Sequence, residues 1–156
     1  MKTAIFVDVQ NIYYTTRDHF GRSFNYRSFW DQIQSEHKII KANAYAIDKG
    51  DQKQQKFQYA LKTIGFNIKL KPYISRMDGS TKGDWDVGIT IDILDSAEEV
   101  DKIILLSGDG DFDLLVQKVI DKYGCIVEIY GVKSLTSDSL IESASKFFPI
   151  SKDFLL

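Results

Sequence analysis

One cysteine, two histidines and no long apolar run set the first limits on this 156-residue chain. A lone Cys125 cannot form an internal disulfide, and it excludes a zinc site built on several cysteines. It lies in the strand-like run Cys125–Ile129, which predicts a small core residue. With His19 and His37 the only histidines, no Ser-His-Asp or Cys-His arrangement is visible, and both are expected at the surface. No apolar stretch approaches the roughly 20 residues that cross a bilayer. The amino terminus lacks a charged segment followed by an apolar one and a cleavage site. The expectation is a cytoplasmic protein with no membrane partner.

What is present is ordinary globular material, 44% hydrophobic and 27% charged. One domain over residues 1–156 is expected, large enough to build a core without staples. The net charge of −2 hides a strong polarity. Lys49 to Lys82 holds eight bases against two acids, a balance of +6; Gly83 to Asp113 holds ten acids against one base, a balance of −9. An acidic centre beside a basic stretch suits a site that binds a metal and then a polyanion.

Strand and helix patterns alternate. Short apolar strands are read at Ala4–Val7, Ile39–Ile47, Phe66–Tyr73, Ile103–Leu106 and Ile126–Tyr130. Helices are read over Asn11–Phe20, from an Asn25 or Ser28 cap through Ile33, and from an Asp51 cap to Gly65. A further helix opens at Asp84 or Trp85 with Val87, Ile91 and Leu94 at helical spacing. Two more run from Phe112 to Gly124 and from Ser137 or Asp138 through Ala144. Ser75–Gly83 reads as a surface loop. Such alternation predicts an α/β fold: a mostly parallel central sheet of about five strands with helices on both faces.

Four acids stand out by position. Asp8 ends the first strand, Asp109 and Asp111 follow the fourth, and Asp86 sits in the first turn of the helix after Gly83. In open parallel sheets, ligands gather where the carboxyl ends of adjacent strands open into a crevice. If the first and fourth strands are neighbours, these acids share it. Crowded carboxylates are costly without positive charge between them, so Mg2+ or Mn2+, which prefer oxygen ligands, is the expected cofactor. A bound ion would neutralise phosphate and activate water without any histidine. Gly108 and Gly110 would let the turn approach a ligand closely. Asn11 could hold Asp8 or cap the next helix, and Lys82 could meet a phosphate. A blander account remains open, with Asp86 and Asp111 as helix caps and Asp109 as a turn residue. Asp92 is read as an acid that supports the site from outside the ligand set or is solvated; Asp84, Asp95 and Asp113 are expected to face solvent.

At these residues the chain resembles the NYN domain family, the LabA-like branch of the PIN-type nucleases. The matching pieces are Phe6-Val7-Asp8-Val9-Gln10-Asn11, Lys82-Gly83-Asp84-Trp85-Asp86-Val87 through Asp92, and Leu106-Ser107-Gly108-Asp109-Gly110-Asp111-Phe112 with Leu115. Gly124–Gly131 and Leu140–Ala144 also fit. One departure is Val9, where many members carry glycine. The resemblance implies a Rossmann-like, PIN-like three-layer sandwich and a Mg2+- or Mn2+-dependent ribonuclease site at Asp8, Asp86, Asp109 and Asp111. It gives Asn11 a supporting role; Asn11, Lys82 and Ser107 are the expected substrate contacts.

The leading expectation is thus a metal-dependent endoribonuclease, with RNA tracked by Lys49–Arg76 and bases stacked on Tyr73 or Trp85. A non-catalytic RNA- or protein-binding module that keeps the acidic pocket is the alternative. A haloacid-dehalogenase-type phosphatase would need an acid where Gln10 stands, and a Toprim-like site a glutamate where Asp8 stands. Self-association as a homo-oligomer is considered through a strand edge or the Phe147–Ile150 tail.

Overall fold

A computed structural model describes residues 1–72, 74–75, 81–82 and 84–156. The amino-terminal half runs β1 (Lys2–Asp8), α1 (Val9–Phe20), α2 (Tyr26–Glu36), β2 (Lys38–Asp48), α3 (Gln52–Ile64) and β3 (Asn67–Pro72). A two-residue ladder follows, β4 (Ile74–Ser75) against β5 (Thr81–Lys82). The second half runs α4 (Asp86–Ala97), β6 (Lys102–Leu106), α5 (Asp113–Tyr123), β7 (Ile126–Gly131), α6 (Asp138–Ser143) and β8 (Lys146–Pro149).

Six strands pair in the order β3-β2-β1-β6-β7-β8, and each pairing in that sheet is parallel. The chain builds outward from β1 through β2 and β3, then returns to lay β6 against β1's free edge. That reversal puts the strand ends Val7 and Leu106 side by side. It is the switch point at which parallel sheets open a crevice.

Side chains alternate across β1 and β6, as the two-residue period of a strand requires. Ile5, Val7, Ile104 and Leu106 join one core with Ile12, Phe29 and Leu61 from α1, α2 and α3. Ala4, Phe6, Ile103 and Leu105 join the other with Ile89, Val119 and Leu140 from α4, α5 and α6. The sheet is buried on both faces, which is why its central strands read as unbroken aliphatic runs. This is the three-layer α/β sandwich expected.

Four details differ from expectation. The Phe147–Ile150 tail, read without a strand, supplies one: β8 forms the sheet's sixth strand, with Phe148 stacked on Tyr130 at 4.8 Å. Its Pro149 is tolerated because it closes an edge strand. The loop read over Ser75–Gly83 overlaps the β4/β5 ladder, which starts at Ile74. Helix α1 begins at Val9, because Asp8 already acts as its cap. On α4 only Leu94 of the spaced triplet packs against the core: Val87 and Ile91 are exposed, and Ile89, Ile93 and Ala97 are buried. Both stripes are apolar, so periodicity alone could not choose between them. Among the described residues, no helix is long and apolar enough to cross a membrane.

Candidate active site

The chain leaves β1 at Asp8, and the carboxylate is caught from two sides. Its Oδ1 accepts the Asn11 backbone N–H at 3.4 Å, and its Oδ2 accepts the Ser107 hydroxyl at 3.3 Å. The Ser107 oxygen in turn accepts the N–H of Asp109 at 3.1 Å. Asn11 bridges the same two strand ends, its Oδ1 accepting the Gly108 N–H at 2.9 Å. Helix α1 and the exit of β6 are therefore tied together by side chains that also orient the acids.

Beyond Ser107 the chain turns tightly. Asp109 Oδ1 accepts the Asp111 N–H at 2.9 Å and so caps the single helical turn Gly110–Phe112 that leads into α5. The glycines serve packing here. A Cβ on Gly108 would stand 2.7 Å from the Leu135 carbonyl oxygen, and one on Gly110 would stand 2.6 Å from Ser137 Oγ. The Ser137 N–H donates to the Gly108 carbonyl at 3.0 Å, sealing the loop onto the turn. Neither glycine has a positive φ. The need for glycine comes from the 135–137 loop, where the sequence had suggested an approaching ligand.

Asp86 arrives from α4, in its first turn, and α4 shares the core layer of α5. It is not the cap: that position is Trp85, which makes no side-chain capping bond. Asp86, Asp109 and Asp111 each offer one carboxylate oxygen, and the three oxygens lie within 4.8 Å of one another. Burial pushes the Asp86 carboxyl up from an ordinary 3.8 to about 7, helped by its hydrogen bond to Asp109 and by the charges of Asp109, Asp84 and Asp8. Burial likewise raises Asp8 to about 6; the bonds from Asn11 and Ser107 oppose the rise, and the charges of Asp109 and Asp84 add to it. Asp8 is not one of those three, and its charge bears on Asp86.

The acids are not neutralised internally. Among the described residues, three ion pairs form, Arg27–Asp31, Lys69–Asp92 and Lys102–Glu128, and none involves Asp8, Asp86, Asp109 or Asp111. Three carboxylates with converging oxygens and no paired base form an all-oxygen donor set suited to a hard divalent cation.

The remaining site expectations fall as follows. Ser107 is fully buried with its hydroxyl engaged on both sides, so its side chain positions Asp8 and the turn and is closed to a substrate. Tyr73 and Gly83 lie outside the described residues, as does the side chain of Lys82. Asp92 is held by Lys69 Nζ at 2.6 Å and the Tyr45 hydroxyl at 2.7 Å. Trp85 is half-buried, its Nε1–H donating to the Ala46 carbonyl at 2.9 Å and its ring against Tyr45. It packs the base of α4 and is not a free stacking surface. His37 is half-buried, with Nε2 2.9 Å from Lys102 Nζ, and Cys125 is a core residue as expected. Asp84 is the acid that sequence reasoning passed over. It is exposed, yet its charge bears on both Asp8 and Asp86, and its Oδ1 accepts the Asp86 N–H at 3.2 Å. Its position two residues before Asp86 was the available signal.

Comparison with known proteins adds three findings. The NYN domain family model matches residues 2–151. The Low amplitude and bright protein LabA of Synechococcus elongatus (strain ATCC 33912 / PCC 7942 / FACHB-805) is 30% identical over 124 residues, which cover 74% of this chain and 66% of that protein. The chain thus matches slightly less than two thirds of that relative's length. The crystal structure of a protein of unknown function from Vibrio parahaemolyticus RIMD 2210633 matches with a TM-score of 0.94 at 51% identity, over 99% of this chain and 96% of that one.

Proposed function

The chain belongs to the NYN domain family, and on that premise we propose that the acidic crevice hydrolyses RNA phosphodiester bonds with a bound Mg2+ or Mn2+, cutting within the strand. The observation that carries this reading is the convergence of Asp86, Asp109 and Asp111 oxygens within 4.8 Å, backed by Asp8. Like charges brought this close repel, and the raised Asp86 and Asp8 carboxyls register that repulsion on top of burial. A dication relieves it, so the residues present fit the ion.

Asp86, Asp109 and Asp111 would hold the metal. When bound, it would neutralise a phosphate oxygen and lower the pKa of water toward neutrality. The protein's own work is positional. Asp109 is held by its bonds to the Asp111 N–H and, through its own N–H, to Ser107. Asp8, half-buried and held by Asn11 and Ser107, would add negative potential to the site. Asn11 locks α1 to the β6 exit, so the acids from β1 and β6 cannot drift apart. Asp111, exposed at the lip, is the carboxylate best placed to orient an attacking water or meet the substrate.

Incubation of a circular single-stranded RNA with Mn2+ tests the reading directly, since only an internal cut linearises a circle. Wild-type protein is expected to linearise it and Asp109→Asn to leave it closed. Equal linearisation by both removes the active site from this crevice. Mn2+ binding by calorimetry with intact RNA at every metal concentration would instead identify a binding module that retains the acidic pocket.

A further inference from the structure

Helix α1 does more than deliver Asp8 and Asn11. Its inner face is Val9, Ile12 and Thr16, all buried. Its outer face presents Tyr13 and Tyr14, 44% and 52% exposed, with exposed Arg17 between them on the helix surface. The two rings meet edge to face at 5.2 Å. Arg17 Nη1 donates to the Tyr13 hydroxyl at 2.7 Å, and the guanidinium lies 5.7 Å from that ring's centroid. Among the described residues Arg17 pairs with no carboxylate. The aromatic surface is thus braced by a cation that makes no ion pair among the described residues, although Asp18 beside it is also exposed.

Its position is informative. Tyr14 follows Asn11 by three residues, so the two are neighbours on the helix surface. Asn11 is bonded to Gly108, beside Asp109. At 1.5 Å per residue, Tyr14 lies about 9 Å along the helix from Asp8, and Arg17 about 13 Å. The competing route is weakened. In the basic stretch, Lys69 is bound to Asp92, and Lys71 donates to the Asp84 carbonyl at 3.1 Å while covering the Trp85 ring at 4.5 Å. Trp85 itself is packed.

We propose that Tyr13, Tyr14 and Arg17 on the outer face of α1 form a platform for single-stranded RNA beside the acidic crevice, with bases stacking on the tyrosines and Arg17 contacting the backbone phosphate. The proposal rests on the ribonuclease reading for the identity of the strand. Aromatic faces accept any base, so the platform confers affinity and register with little sequence preference. A tyrosine also loses little conformational freedom on binding, having few rotatable bonds. The acidic crevice repels a polyanion, and a cation-backed platform next to it supplies the grip that the crevice lacks.

The test is binding of a fluorescein-labelled oligouridine 12-mer in EDTA, where cleavage is silent, followed by Mn2+-dependent cleavage of the same strand. Tyr14→Ala is expected to weaken binding about tenfold, in line with the loss of one stacked base. Tyr14→Phe should keep near wild-type affinity because the ring remains. Arg17→Ala should weaken binding and flatten its salt dependence. In cleavage, Tyr14→Ala should raise KM and spare kcat. Unchanged affinity in Tyr14→Ala and Arg17→Ala overturns the platform, even where Mn2+ cleavage proceeds. Tyr14-dependent binding with no cleavage sinks the nuclease reading and leaves the platform standing. Sedimentation covers the other occupant: if Tyr13→Ala/Tyr14→Ala dissociates a self-associated protein without altering RNA affinity, the face joins copies of the chain and the proposal is wrong.

Discussion

The two ends of β6 handle buried charge in opposite ways. At its start, Lys102 and Glu128 are both buried, 3.0 Å apart, with His37 2.9 Å from the lysine. At its exit, Asp8, Asp86 and Asp109 are brought together with no paired cation among the described residues. One cluster is complete as folded; the other has charge left over. A structural ion pair needs no ligand, whereas a set of like charges held by dedicated hydrogen bonds stores a cost that a ligand can repay.

The contrast predicts where each mutation registers. Glu128→Ala should give the largest stability loss, about 3–5 kcal/mol, because it strands a buried lysine. Urea denaturation measures it, and a loss below about 1 kcal/mol would mean that Lys102 finds water or another partner. Asp109→Asn should act at the other end, lowering Mn2+-dependent RNA cleavage by about 100-fold or more with the fold intact. Circular dichroism alongside the cleavage assay separates the two effects.

Titration should break the symmetry further. Asp8 and Asp86 have folded pKa values above their unfolded ones, so folding favours their protonated forms. Their contribution to stability is fully present below the unfolded value near 3.8 and is lost as pH rises through about 6 to 7. In EDTA, Asp8→Asn should therefore stabilise the protein at pH 8, by roughly 2 kcal/mol, and confer little at pH 3.5. Saturating Mn2+ at pH 8 should raise the wild-type melting temperature more than that of Asp8→Asn. A wild-type melt unaffected by Mn2+ would show that the surplus charge is not a metal site. Gly108→Ala should cost a comparable amount, about 1–3 kcal/mol, since the new methyl meets the Leu135 backbone oxygen. If glycine were needed there only for ligand approach, stability would not change.

Much of the fold was legible from pattern. Doubly buried parallel strands must be aliphatic, so β1 and β6 announced themselves, and Asn25 and Asp51 cap their helices as read. Strand β8 was missed because Lys146–Pro149 is short, contains a proline and lies at an edge, where half of the pairing rule lapses. The buried face of α4 was misjudged because α4 carries two apolar stripes, and only packing against Phe6 and Leu105 selects Ile89 and Ile93. In the site, the four acids were visible as strand exits and a helix start. Hidden were the internal jobs of Ser107 and Asn11, the reach of Asp84, and the packing of Trp85. Each depends on a partner dozens of residues away, or on the direction that a side chain takes once its helix has docked.

Local order along the chain was enough to specify alternating strands and helices and to station carboxylates where strands end, because those features follow from periodicity and from the chemistry of turns. Which strands became neighbours was a tertiary matter. Placing β6 beside β1 requires a crossover of more than 90 residues, and that pairing is what brings the aspartates scattered along the chain to one place. Distances of a few ångströms between groups so far apart in sequence are decided by how the layers pack, and no local preference encodes them.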